Sequence, residues 1–274
     1  MSFAERDVLL AGVDFTSMPT RRKPIVVATG RQSRGVVRVE RLDEHDTFGG
    51  LADWLAQPGP WVAGFDFPFG LPRELVEALH WPATWHASMR HFSQLSRDDV
   101  RCMFAAFCNS RPVGAKFAHR ATDGPAGASP SMRWVNPPVA LMMHAGVPLL
   151  LDAGVAIPGL HPGDERRVAL ETYPGLVARE LIGRRPYKSD EKAKQTPERL
   201  IARKDLVEAL EQGRTRLGVR VRLSHAMRDA LVADATGDRL DAVLCLVLAA
   251  WGAHRPGLGL PAGIDPLEGW IVGA

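Results

Sequence analysis

Cysteine is scarce in this 274-residue chain, and the three present (Cys102, Cys108, Cys245) have no spacing that could hold a metal. An odd, small number suits a reducing compartment rather than a disulfide framework. Cys245 lies in an apolar helical run, where a small buried thiol is expected. The nine histidines show no H-x-x-x-H or related spacing, which argues against zinc. There is no Walker-type glycine loop and no G-x-G-x-x-G, so the common phosphate-cradling turns are missing. Ser17, Ser189 and Ser224 lack a nucleophile-elbow context. The longest apolar run, Ala242 to Trp251, is too short to span a bilayer. The opening MSFAERDVLL has no basic segment followed by an apolar one, so no signal peptide is expected. These absences together point to a soluble cytoplasmic protein with no membrane partner.

What is present is ordinary in bulk and uneven in detail. Apolar residues make up 46% and charged residues 24% of the chain, enough for one large core. The net charge of +3 is too small to argue for nucleic acid. Between Arg179 and Arg228, however, 14 Lys or Arg face 7 Asp or Glu. That excess fits a solvated helix face or a phosphate-binding surface.

Val8 to Phe15, Pro24 to Thr29 and Val36 to Arg41 read as strands separated by turn formers, which predicts a meander. A helix capped by Thr47 should run to Gln57, before Pro58-Gly59-Pro60. Trp61 to Phe67 is the next strand, followed by a helix over Arg73 to His80. The stretch from Trp81 to Glu165 is rich in Trp, His, Pro, Gly and Met, with one clear helix (Arg97 to Asn109) and an apolar one after Pro138. We read it as an insertion, a cap or a substrate-binding subdomain. Trp81, Trp85 and His86, near Arg90 and His91, could stack bases or pack a core. Val168 to Tyr173 resumes the sheet. Helices follow over Pro174 to Ile182, Pro197 to Gln212 (capped by Thr196), Ser224 to Ala233 and Asp238 to about Gly252. Strands interleaved with helices in this order imply a single α/β domain over residues 1–274, with a partly parallel sheet and residues 81–165 inserted in it.

Four apolar stretches carry acids where a buried element should have none: LLAGVDFTS (Asp14), WVAGFDFPFGLP (Asp66), VALETYPG (Glu171) and GDRLDAVLCLVLAAW (Asp238, Asp241). Acids are rarely buried unless paired, hydrogen-bonded or bound to metal. Asp14 and Asp66 sit near the C-terminal ends of strands, where open α/β sheets place ligand sites. If the strands are neighbours, two like charges would need a cation between them, and Mg²⁺ or Mn²⁺ suits carboxylate ligands. Each could instead cap a turn, Asp14 through the Thr16 or Ser17 amide and Asp66 at Pro68–Gly70. Asp238 could be a helix cap with Asp241 at the third helical position. The apolar run that follows them argues for a helix packed on the sheet, its acids aimed at the strand ends. Glu171 alternates out of phase with Leu170 and Thr172, and stands as a ligand, a supporting group or a helix-entry residue.

The set GVDFTS, GFDFPFGLP, LETYPG, Tyr187-Lys188, GDRLDAVLCLVLAAW and EGWIVGA resembles domain-of-unknown-function family 429, regarded as predicted nucleases on the ribonuclease-H-like fold. Both ends of the chain carry the resemblance; Trp81 to Glu165 does not. It implies a mixed sheet, a three-strand meander plus parallel strands, flanked by helices. Asp238-x-x-Asp241-Ala resembles the D-x-x-D-A of the resolvase branch. By that likeness Asp14, Asp66, Asp241 and Asp238 would hold metal, with Glu171 beside them in the catalytic set. Asp66 departs from the Glu that resolvases commonly use, so its reach is shorter. The implied activity is phosphodiester hydrolysis of DNA or RNA by a two-metal carboxylate mechanism, with Lys116, Arg133, Lys188 and Arg199 as candidate phosphate contacts. Two other expectations stand beside it. Asp14-Phe-Thr-Ser also resembles the phosphate-binding hairpin of actin-like ATPases and sugar kinases. A nuclease-like fold could also serve as an inactive nucleic-acid-binding module.

Overall fold

The computed structural model describes residues 8–274. Three strands open it as an antiparallel meander: β1 (Leu9–Asp14), β2 (Ile25–Ser33) and β3 (Val36–His45). Helix α1 (Phe48–Leu55) is capped by Thr47, whose side chain accepts from the Gly50 amide at 3.2 Å. Strand β4 (Trp61–Phe65) then lies parallel to β1. It is two residues shorter than the apolar run suggested, because the chain turns at Asp66 toward Pro68.

Helices α2 (Arg73–Ala78), α3 (Trp85–Gln94), α4 (Arg97–Asn109), α5 (Asp123–Ala126) and α6 (Val139–Asp152) follow. Ser96 and Asp99 form a reciprocal capping box on α4. Strands β5 (Val155–Ala156) and β6 (Asp164–Glu171) return to the sheet in parallel. Next come α7 (Pro174–Ile182), α8 (Pro197–Gln212), β7 (Arg220–Arg222), α9 (His225–Ala233) and α10 (Asp238–Ala253). Pro opens α7 and α8, and Gly183 and Gly213 end them at positive φ. Thr196 precedes α8 without the expected side-chain cap.

The result is one seven-stranded mixed sheet, ordered β5-β6-β4-β1-β2-β3-β7, with helices on both faces. One face is covered by α1 to α4 and α6, so residues 81–165 supply much of its apolar layer. Trp81 and Trp85 are buried there, and the Trp85 indole donates to the Phe69 carbonyl at 2.7 Å. Of the two uses open to these rings, the structure shows core packing. The other face is covered by α7 to α10. Cys245 is buried in α10, as its context suggested. Among the described residues, no helix is long and apolar enough to cross a membrane.

Helix α10 lies almost in van der Waals contact with the sheet because two glycines admit it. A Cβ on Gly12 would stand 2.0 Å from the Ala242 carbonyl oxygen and 2.1 Å from the Leu246 nitrogen. A Cβ on Gly64 would meet the Cys245 carbonyl oxygen at 2.8 Å. Gly12 and Gly64 are register partners on adjacent strands, so they make one smooth seat. Gly12→Ala should therefore cost about 3 kcal/mol or more by overpacking against backbone that cannot yield. Urea denaturation checks this, and a loss under about 1 kcal/mol would mean that the helix can lift away.

Candidate metal centre

Strand alternation selects which acids meet. Side chains two apart share a face, so Asp14 lies on the side of Gly12 and Asp66 on the side of Gly64. That is the side on which α10 packs. Parallel register places the two strand ends together, and the Asp66 amide donates to the Val13 carbonyl at 2.9 Å. Asp241, in the first turn of α10, completes the group. One carboxylate oxygen from each of Asp14, Asp66 and Asp241 lies within 4.8 Å of the others.

The partners of these acids differ sharply. Asp241 is fully buried; it accepts from the Tyr187 hydroxyl at 2.5 Å and from the Lys188 ammonium. Asp14 is 7% exposed, yet among the described residues no donor is hydrogen-bonded to its carboxylate, nor to that of Asp66. The turn-capping alternatives for Asp14 and Asp66 are thus not the ones the structure adopts. Asp238 is the first helical residue rather than the cap, which is Gly237. Its carboxylate takes the Lys23 ammonium at 2.7 Å, and Lys23 also reaches Asp190 at 2.9 Å. Asp238 therefore lines the cleft beside the three clustered acids.

Glu171 lines the same cleft from the other side of the strand ends. It shares phase with Ala169, whose side chain joins the opposite core, so it emerges on the face of α3 to α6. Arg120 grips it through two bonds of 2.8 and 2.6 Å, and the Phe69 amide donates to it at 2.9 Å. Both of its oxygens are engaged, and through the Phe69 amide Glu171 fixes the turn after β4.

Burial lifts the Asp14 carboxyl well above its usual range, with the Asp241 charge adding to the effect. Burial likewise pushes Asp66 up to about 7, with Lys188 pulling it down and Asp241 and Glu171 raising it. A carboxyl whose folded pKa is raised holds its proton in the fold after the unfolded chain has lost it. Stability then falls as pH rises, here between about 4, the unfolded value, and about 7. Metal-free protein should lose about 4 kcal/mol across that window from Asp66 alone. Millimolar Mn²⁺ should restore it at pH 8, since cation binding replaces proton binding. Melting curves from pH 5 to 8, with and without Mn²⁺, give the answer, and a flat metal-free profile would contradict it.

Asp14, Asp66 and Asp238 line a cleft of about 540 Å³ at the C-terminal ends of β1 and β4, with Asp241 buried beneath it. Asn136 to Val139, leading into α6, stand over it with Met142. Of the four candidate phosphate contacts, the structure brings Lys188 alone into this cleft. Lys116 is exposed on the loop after α4, and Arg133 is part-buried away from the cleft. Arg199 donates from α8 to the Lys188 carbonyl, supporting the lysine from behind. Arg203 does the same for the Tyr187 carbonyl at 2.7 Å. Sequence reasoning assigned no role to Lys23, Arg120 or Tyr187, although Tyr187 stood in the Tyr-Lys pair of the resemblance.

A family model described as "Protein of unknown function (DUF429)" matches residues 12–262. No curated protein and no solved structure matches the chain.

Proposed function

Because the chain belongs to the DUF429 family of proteins of unknown function, its activity must be argued from its own geometry, and we propose that it is a metal-dependent phosphodiesterase acting on nucleic acid. The observation that carries this is the convergence of Asp14, Asp66 and Asp241, with neither the buried Asp14 nor the part-buried Asp66 hydrogen-bonded to a donor among the described residues. Unpaired buried acids are costly, and a hard cation with oxygen ligands is the chemistry that removes the cost. The donor set is all carboxylate, which suits Mg²⁺ or Mn²⁺ and fits neither zinc nor copper. We read the meander β1-β2-β3 with β4 and β6 parallel beside β1 as a ribonuclease-H-like core.

Asp14, Asp66 and Asp241 would hold the metal, and Asp238 would stand by on the rim. When bound, a divalent ion there supplies Lewis-acid activation of a phosphodiester and neutralises the charge that develops. Tyr187 fixes the orientation of Asp241 through its hydroxyl. Lys188 presents a cation whose side chain is 41% exposed, suited to a phosphate oxygen entering the cleft. Arg120 and Glu171 hold the Phe67–Phe69 turn that aims Asp66.

The test is hydrolysis of labelled single-stranded, duplex and branched DNA and RNA in Mn²⁺. Cleavage should vanish in chelator and fall by about 1000-fold or more in Asp14→Asn. An Asp14→Asn variant that cuts like wild type would sink the proposal. Thermal stabilisation by ATP–Mg²⁺ and not by oligonucleotide would favour the phosphate-binding hairpin of an actin-like enzyme instead.

A further inference from the structure

A second hollow, of about 760 Å³, opens beside the acid cleft and shares Tyr173, Gly175 and Tyr187 with it. Where the cleft collects acids, this hollow collects Arg179, Arg184, Arg185 and Arg216 against the single acid Glu180. Two of the four are held at half exposure: Arg185 pairs with Asp205 at 2.7 Å and Arg216 with Glu180 at 3.4 Å, their side chains 51% and 54% exposed. Arg179 is anchored more firmly, donating to the Ala126 and Gly127 carbonyls at 2.5 and 2.6 Å. Its guanidinium also lies over the Tyr173 ring, 5.4 Å from the centroid. Arg184 is exposed and, among the described residues, has no hydrogen-bond or ion-pair partner.

A small phosphodiester would need only the acid cleft. A groove of arginines continuous with that cleft serves phosphates beyond the one being cut. We propose that this groove carries the sugar–phosphate backbone of a polynucleotide away from the scissile linkage, so that the substrate is a strand rather than a mononucleotide or a small cyclic diester. The inference rests on the phosphodiesterase function proposed above. Guanidiniums match phosphate oxygens in geometry and charge, and affinity gained this way is independent of base sequence. Tyr173 stands at the step between the hollows, part-buried, with its ring under Arg179 and its hydroxyl unbonded among the described residues.

The experiment is fluorescence anisotropy of labelled single-stranded DNA and RNA in chelator, so that binding is read without chemistry. Arg184→Glu should weaken binding by about tenfold or more, and Arg184→Ala should lower the slope of log K against log salt by about 1. Arg214→Glu is the control, another exposed arginine that does not line the groove, and should weaken binding far less. Equal loss in Arg184→Glu and Arg214→Glu, or no loss in either, would overturn the groove, as would the absence of any oligonucleotide binding. Polyglutamate binding as tightly, with the same dependence on Arg184, would also overturn it. Metal binding by the aspartates is measured separately, so the groove can fail while the metal site stands, and the reverse.

Discussion

Asp14→Asn should bind Mn²⁺ at least about 100-fold more weakly than wild type, yet melt at a higher temperature when no metal is present. Loss of a group that merely supports a ligand costs about 10–100-fold in metal affinity, so loss of a central carboxylate should cost no less. The opposite sign for stability follows from the same geometry. Asp14 is buried, lacks a donor among the described residues, and faces Asp241 across the cluster. Asparagine keeps the shape and replaces an unpaired charge by a dipole, which costs less to bury. Each kcal/mol recovered raises the melting temperature by about 2–4 °C in a chain of this size. Isothermal titration with Mn²⁺ and calorimetric melting in chelator read the two effects separately. Unchanged Mn²⁺ affinity would remove Asp14 from the site, and a large drop in melting temperature would make it a structural residue.

Arg120→Met should destabilise the fold by about 3–5 kcal/mol, the cost of stripping one partner from a buried ion pair. Arg120 is 3% exposed and makes five bonds. Two go to Asp123 at 3.1 and 2.9 Å, two to Glu171, and one to the Glu268 carbonyl at 3.0 Å. It thereby ties the loop before α5, the end of β6 and the C-terminal segment into one knot. Removing it leaves two carboxylates facing each other in an apolar interior. The triple change Arg120→Met, Glu171→Gln, Asp123→Asn removes those charges too and should recover part of the loss. Equilibrium urea denaturation of both variants decides, and a loss under about 1 kcal/mol in Arg120→Met would show that water reaches the acids.

Much of the chain's architecture was legible because apolar strands and helix punctuation are local signals. Ser96 with Asp99 marks the start of α4, and Pro174 with Gly183 and Pro197 with Gly213 mark both ends of α7 and α8. The short strands β5 and β7, two and three residues long, gave no periodicity to detect. Helix α3 was missed because WHASMRHFSQ mixes His, Arg and Ser around its few buried positions. For the site, an aspartate inside an apolar run is an anomaly visible without a structure, and Asp14, Asp66 and Asp241 do converge. Glu171 looked the same locally. What separates it is parity within β6 and an arginine 51 residues away in the chain. Lys23 was equally hidden, since Arg21-Arg22-Lys23 offers three adjacent cations and no local reason to prefer one.

Lys188 lends the cluster one further property. Its ammonium rests on Asp241 and draws down the proton affinity of Asp14 and Asp66. Asp241 thus carries its counter-ion within the fold, while Asp14 and Asp66 feel that charge without a bond to it. On the proposed metal-dependent function, folding and metal loading should be separable events, unlike the zinc modules whose chains collapse only around their ion. Chelation should silence such a protein without unmaking it, and activity should return when the ion does.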